Sequence, residues 1–254
     1  MRARRRAALV AAGIGVAVLG VGLTGDPLVT DMGAVLRAPS LAHPLGTDEL
    51  GRDVLARLAH GALLTLGTAG SALVVAVLLG LLAGCATGWS SSPVAALVRA
   101  GVDVATALPP LIVALVTTLI AGPSTAALLL ALAGVSWLPF ARQADAMTAQ
   151  LRTRNWVLAH RALGAGRLLI WRRSLLPFLA PAAGALAAVR LPALVNTVAA
   201  LGFLGLGPPP PRPEWGAMIA ESVDHLGTAP WLLAAPVLAL VAVQTIVAAL
   251  AAER

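Results

Sequence analysis

Residues 61–98 read GALLTLGTAGSALVVAVLLGLLAGCATGWSSSPVAALV, without a single Asp, Glu, Lys or Arg. A helix needs roughly 20 apolar residues to cross a hydrocarbon core of about 30 Å, and this run exceeds that. A strand in a bilayer must belong to a closed barrel and alternate apolar with polar residues. Here Ala, Leu, Val and Gly come in blocks, so the run is read as a transmembrane helix. The rest of the chain agrees. Of 254 residues, 11% are charged and 59% hydrophobic, whereas a soluble domain carries about a quarter charged residues. A soluble globular enzyme and a disordered chain are both excluded. Cys85 is the only cysteine, which excludes a disulfide scaffold.

Working outward, further uncharged runs cover 7–25, 104–141, 174–189 and 226–252. The run 104–141 is too long for one span and carries a turn signal at Gly122-Pro123-Ser124, so it is read as a helical hairpin. The expectation is an all-α polytopic membrane protein with six transmembrane helices, at about 7–25, 63–86, 101–121, 125–142, 178–200 and 229–250. In domain terms, 1–25 is the N-terminus and first span, 26–60 an outer segment with an interfacial helix, and 61–250 the main transmembrane unit. The basic start Met1–Arg6 followed by an apolar run also has the form of a signal peptide. An uncleaved anchor is preferred, because five spans follow it and an even total returns the C-terminus to the starting side.

The net charge is +7, and every basic residue is Arg. Its placement matters more than its sum. With the N-terminus inside, the inner segments hold 13 Arg against Asp103, Asp145 and Glu253. The outer ones hold four Arg (37, 52, 57 and 212) against eight acids. Short cytoplasmic loops are the Arg-rich ones, so both termini are read as cytoplasmic. The positive charge is an orientation signal facing a lipid bilayer; no nucleic-acid partner is expected.

Three segments outside the spans are large enough to carry function. In 43–58, HPLGTDELGRDVLARL, the positions Leu50, Val54, Leu55 and Leu58 share a helical stripe. Thr47 or Asp48 would be the N-cap, and Asp53–Arg57 an i,i+4 pair. In 143–176, Asn155–Leu163 can form a short helix stopped by Gly164-Ala165-Gly166. A second stretch, Arg167–Leu176, ends at Pro177, making a compact cytoplasmic knob. It reads equally as an anchor for anionic lipid headgroups or as a docking element for a cytoplasmic partner. In 201–228, Gly202, Gly205 and Gly207 precede four prolines, Pro208–Pro211, and the sequence Glu214-Trp215-Gly216. This is a rigid external loop or the lining of a gate, with Trp215 and Trp231 suited to a membrane interface.

At these segments the chain resembles the inner-membrane permease subunit of bacterial peptide and nickel ABC importers, the C-type partner of the oligopeptide/dipeptide/nickel group. The likeness runs from about residue 40 to 250. It rests on His43-Pro-Leu-Gly-Thr-Asp-Glu-Leu-Gly-Arg-Asp53, on Ala162-Leu-Gly-Ala165 followed by Leu176-Pro177, and on Phe203-Leu-Gly-Leu-Gly207 followed by Glu214-Trp-Gly216. The resemblance implies a type I ABC importer permease fold in the bacterial cytoplasmic membrane. It also implies a second homologous permease, two ABC ATPase subunits and an extracytoplasmic substrate-binding protein as partners. The loop 143–176 would then hold an ATPase-coupling helix, with Trp156, Ala159, Arg161, Ala162, Leu163 and Gly164 at the contact. The external motif residues would be Gly46, Thr47, Asp48, Gly51, Arg52, Asp53, Gly205, Gly207, Trp215 and Gly216. One departure stands out. Where the family's coupling motif has Glu-Ala-Ala, this chain has Leu158-Ala159-His160.

No catalytic, cofactor or metal residues are expected. The chain has no Gly-x-x-x-x-Gly-Lys-Ser/Thr loop and no Lys, so ATP binding by that mechanism falls to a separate chain. The four His lack paired metal spacing. Arg190 sits inside the fifth span, where a charge costs a few kcal/mol. It either lines the translocation path and attracts a substrate carboxylate, or pairs with an acid on the partner subunit or snorkels beside Pro192. Asp103 and Arg99, one turn apart, are expected to pair. The cargo is read as peptide, with nickel or another chelated metal as the alternative. A stand-alone channel or secondary transporter would need repeated halves with broken helices, and no internal repeat is visible.

Overall fold

The computed structural model describes residues 13, 15, 17, 18 and 20–251. Residues 13, 15, 17, 18 and 20–22 are helical; the rest of the first half of the expected span 7–25, and residue 19, lie outside the described residues. From Asp26 the chain runs as irregular backbone with one 3-10 turn, Met32–Ala34, capped by the Asp31 side chain. The long helix α1 follows, Val54–Trp89, 36 residues and about 54 Å at 1.5 Å per residue.

Helix α2, Pro93–Thr106, and α3, Pro110–Ala121, replace the expected span 101–121 and meet at a bend of 92°. The cause is Pro109-Pro110. A proline offers no N–H to the preceding turn and pushes the residue before it out of the helical region. The turn at Gly122–Ser124 then opens α4, Thr125–Ser136, whose N-cap is the Ser124 hydroxyl. Trp137 keeps helical angles and passes the chain into α5, Leu138–Leu151. Together they make one helix of 27 residues, well past the expected end at 142.

The short helix α6, Asn155–Ala162, and α7, Arg167–Ile170, come next. The stretch from Arg167 does not stop at Pro177. It widens into a π turn at Trp171–Leu175 and continues as α8, Leu176–Phe203. The i→i+5 pattern sits just before Pro177, whose missing donor would otherwise break the ladder there, so the knob and the fifth span are one element. Helix α9, Trp215–Ser222, and α10, Trp231–Ala251, complete the chain.

Four of these helices are long and apolar enough to cross a membrane, five if the bent α2–α3 pair counts as one, among the described residues. All pack around α1. At its N-terminal end Val54, Leu58 and Ala62 meet Trp215, Met218 and Leu232. Mid-helix, Ala69 and Ala72 meet Leu132, Leu194, Val195 and Val198. At its C-terminal end Cys85 meets Ala144, Leu175 and Leu179. Against α5 the contact face of α1 is Gly80, Gly84 and Gly88. A Cβ on Gly84 would strike the Ala141 carbonyl and sit 2.7 Å from the Ala144 Cβ. Small residues at i, i+4 and i+8 let two apolar helices touch along their backbones, which drives association in lipid. Leu63, Val74, Leu78 and Leu82 stay exposed on the outer face, as suits a helix bathed in hydrocarbon.

Candidate functional site: two polar ends and a charged cavity

At the N-terminal end of α1 the backbone turns tightly over 46–53. Asp48 N–H bonds the Arg52 carbonyl at 3.0 Å, and Gly51 N–H bonds the Asp48 carbonyl at 3.0 Å. Gly51 has φ +70°, and a Cβ there would collide with the Asp31 carbonyl, so only glycine fits. The turn places the Asp48 carboxylate under a cage of donors. One oxygen accepts the Leu50 and Arg52 N–H groups, each at 2.9 Å. The other accepts Arg52 Nε at 2.7 Å and an Arg57 guanidinium nitrogen. Arg57 then reaches Glu221 at 2.7 Å, tying α1 to α9. Burial works against the Asp48 charge, but Arg57, the Arg52 backbone N–H and the Arg52 guanidinium together hold its pKa below the usual carboxylate value.

This geometry corrects the sequence expectations. The N-cap is Asp53, which accepts the Ala56 N–H at 2.8 Å; neither Thr47 nor Asp48 caps the helix, and Leu50 lies before it. Asp53 pairs with His43 at 2.8 Å, not with Arg57. Arg57 instead turns inward, because burial among Asp48 and Glu221 satisfies its charge better than an exposed i,i+4 contact. The Thr47 hydroxyl accepts Arg37 N–H at 2.9 Å and donates to the Ala34 carbonyl. Gly46 lies against the Trp231 indole, whose N–H reaches the Thr47 carbonyl at 3.3 Å. A cavity of about 20 Å³ beside Asp48, Arg57 and Glu221 has room for one water.

The 201–228 segment locks onto the same end. Gly205, φ +75°, ends α8 in a Schellman cap: Leu206 N–H bonds Leu201 O at 2.9 Å and Gly205 N–H bonds Gly202 O at 3.0 Å. Gly207 folds back against Gly202. Trp215 is buried rather than interfacial, and its indole N–H donates to the Leu58 carbonyl at 2.9 Å. Gly216 presses on the Ala199 carbonyl of α8 with no room for a Cβ. Glu214 is wholly buried. It accepts the Thr65 hydroxyl at 2.8 Å and caps α9 through Ala217 N–H at 3.0 Å. Burial pushes its carboxyl above the usual range, and these hydrogen bonds offset that only in part. Sequence reasoning missed the roles of Thr65, Arg57, Glu214 and Glu221. The available signal was a Glu beside an invading Trp-Gly pair; nothing local marks Thr65.

At the far end, α6 is pinned by its inner face. Val157 is fully buried, Trp156 stacks on Phe178 with ring centroids 5.4 Å apart, and His160 Nδ1 lies 3.0 Å from the Ser174 hydroxyl. Its outer face is open: Ala159, Arg161 and Ala162 are exposed, and Leu163 is 85% exposed. Gly164, φ +81°, makes a second Schellman cap, with Ala165 N–H to His160 O and Gly164 N–H to Arg161 O both at 3.0 Å. Nearer the middle, Arg99 pairs with Asp145 at 2.8 Å, and Asp103 with Arg142 at 3.3 Å. The expected Arg99–Asp103 pair is not made, because α5 offers each residue a partner across the helix contact. Arg190 is exposed and shares a cavity of about 370 Å³ with Arg142, Thr106, Leu108 and Pro110.

Long apolar helices around a central one, stapled by buried ion pairs at one end and presenting a capped short helix at the other, define a polytopic helical membrane protein. The chain belongs to the family of binding-protein-dependent transport system inner membrane components, which residues 76–252 match. It is 38% identical over 192 residues to the di/tripeptide transport system permease protein DppC of Pseudomonas aeruginosa (strain UCBPP-PA14), covering 76% of this chain and 63% of that one. It is 31% identical over 215 residues to the nickel transport system permease protein NikC of Escherichia coli (strain K12), covering 85% and 78%. The chain thus spans just under two thirds of the Pseudomonas relative. Among solved structures, an inward-facing MetNI methionine ABC transporter shares the fold, with a TM-score of 0.62 at 20% identity over 78% of this chain and 94% of that one.

Proposed function

We propose that this chain is a permease subunit of an ATP-driven importer, forming half of a transmembrane path for peptides handed over by an external binding protein. It sits in the bacterial cytoplasmic membrane as a six-span protein with both termini cytoplasmic. The Asp48–Arg57 end faces outward and α6 faces the cytoplasm. Its partners are a second, homologous permease and two ATPase subunits. Hydrolysis belongs to those subunits, and this chain supplies no catalytic residue. The supporting observation is α6 itself. A short helix held from below by Val157 and Trp156 and closed by Gly164 presents Ala159, Arg161, Ala162 and Leu163 outward. ATP-driven closure of two soluble subunits can push on such a rigid lever and rock the spans between inward- and outward-open states.

Arg190 and its cavity are assigned to the translocation path. Nickel or a chelated metal as cargo is the second reading, favoured by the longer alignment with the Escherichia coli nickel permease. Co-expression with the neighbouring subunits, followed by affinity purification, tests the class. Two ATPase chains and a second permease are expected to co-purify, and deletion of 155–166 to release the ATPase chains while the second permease stays. Retention of the ATPase chains by the deletion variant rejects the lever.

A further inference from the structure

Two adjoining cavities lie where α1 ends. The first, about 430 Å³, is apolar and runs between Leu82, Cys85, Ala86 and Trp89 of α1 and Trp171 and Leu175 at the head of α8. Leu82 and Leu168 at its rim are 61% and 74% exposed, so it opens sideways from the helix bundle. The second, about 530 Å³, lies beside it and is lined by Ser90, Ser91, Thr153 and the guanidinium-bearing residues Arg152, Arg161 and Arg167. The two share Trp89, Ser90 and Arg167. Among the described residues none of the three Arg has a carboxylate partner. Arg152 is oriented by the Trp89 carbonyl at 2.9 Å and the Ser91 hydroxyl at 3.3 Å. Among the described residues no acid lines either cavity.

We propose that this pair of cavities is a binding site for one anionic phospholipid, with an acyl chain against Trp89 and Trp171 and its phosphate among Arg152, Arg161 and Arg167. The chemistry is complementary in both halves. Guanidinium groups take phosphate oxygens in bidentate fashion, and a basic pocket at the cytoplasmic end of membrane helices suits an anionic headgroup. The apolar slot alone would accept any acyl chain; three Arg at its mouth, without a carboxylate partner among the described residues, select the charged lipid. The orientation rests on the proposed topology, but the occupancy does not depend on transport.

The test uses the full chain in nanodiscs and reads tryptophan fluorescence against lipids brominated on the acyl chain. Brominated phosphatidylglycerol is expected to quench more strongly than brominated phosphatidylcholine at equal mole fraction. The excess should come from Trp89 and Trp171, disappearing in W89F/W171F. Each Arg→Gln change at 152, 161 or 167 should lower the preference by about fivefold. Ala86→Phe, which fills the slot without changing charge or adding a tryptophan, should remove it. R172Q/R173Q, on Arg residues outside the cavities, should leave it intact. Equal loss from R172Q/R173Q would mean diffuse surface attraction and overturn the site. So would loss of the preference on adding inorganic phosphate alone, which would assign the Arg cluster to free phosphate. A lipid preference that persists with no ATPase bound would uphold the site even if the importer reading failed.

Discussion

Asp48 shows how one residue can hold a membrane protein's end together. Its carboxylate is about nineteen-twentieths buried and serves two guanidinium groups and two backbone N–H groups. Removing one partner of such a buried cluster leaves charge uncompensated, at a cost of about 3–5 kcal/mol. Asp48→Asn should therefore lower the thermal unfolding midpoint sharply in detergent at neutral pH. The pH dependence has a definite sign. A carboxyl whose folded pKa lies below its unfolded value stabilises the fold above the unfolded pKa, and this is lost as pH falls through the folded one. Glu214 acts in the opposite sense. Its folded pKa is raised, so the cost of its buried charge is present at neutral pH and is relieved on acidification. The difference in unfolding midpoint between wild type and Asp48→Asn should thus shrink below about pH 4, the ordinary carboxylate range. A difference that stays constant down to pH 2 would show that the Asp48 charge is not what holds the cluster.

At the scale of elements, glycine position separates close packing from simple smallness. Gly84 has the Ala141 carbonyl and Ala144 Cβ in its path, while Gly70 in the same helix has nothing within 4 Å. Gly84→Ala should cost about 1–3 kcal/mol by forcing α1 and α5 apart. Gly70→Ala should gain up to about 1 kcal/mol of helix propensity. Chemical denaturation in mixed micelles reads both, and equal effects at the two sites would reject the backbone contact. The same comparison explains what sequence made legible. Uncharged runs announced the long helices, and Gly122-Pro123-Ser124 and Gly164 announced their turns, because these signals are local. The bend at Pro109-Pro110 was equally local, yet apolar run length hid it. The partners of Arg57, Arg99 and Asp103 were not legible. Each has an acceptable residue one turn away on its own helix, and only tertiary packing chooses the one across the contact. Thr65 needed Glu214, 149 positions on, to acquire a role.

Across the whole molecule, charge is sorted by whether a partner lies within the chain. Arg52, Arg57, Arg99 and Arg142 all meet carboxylates, whereas Arg190, within the 37-residue helical run Arg167–Phe203, meets none among the described residues. An unpaired charge at that depth is costly unless it faces water or a ligand. The cavity it shares with Arg142 sits at the bend between α2 and α3, where irregular backbone is tolerated because it lines a space instead of lipid. A substrate carboxylate passing there would gain an attraction that the surrounding apolar walls strengthen. Arg190→Ala should leave co-purification with the second permease unchanged and lower peptide uptake by about tenfold, the worth of about 1.4 kcal/mol. Arg190→Lys should retain most of the uptake, since it keeps the charge. Uptake of a peptide with an amidated C-terminus, measured beside its free-acid twin, separates attraction from architecture. The Ala variant should erase the preference for the free acid. If the variant assembles and both peptides enter at the wild-type ratio, Arg190 does not contact the cargo.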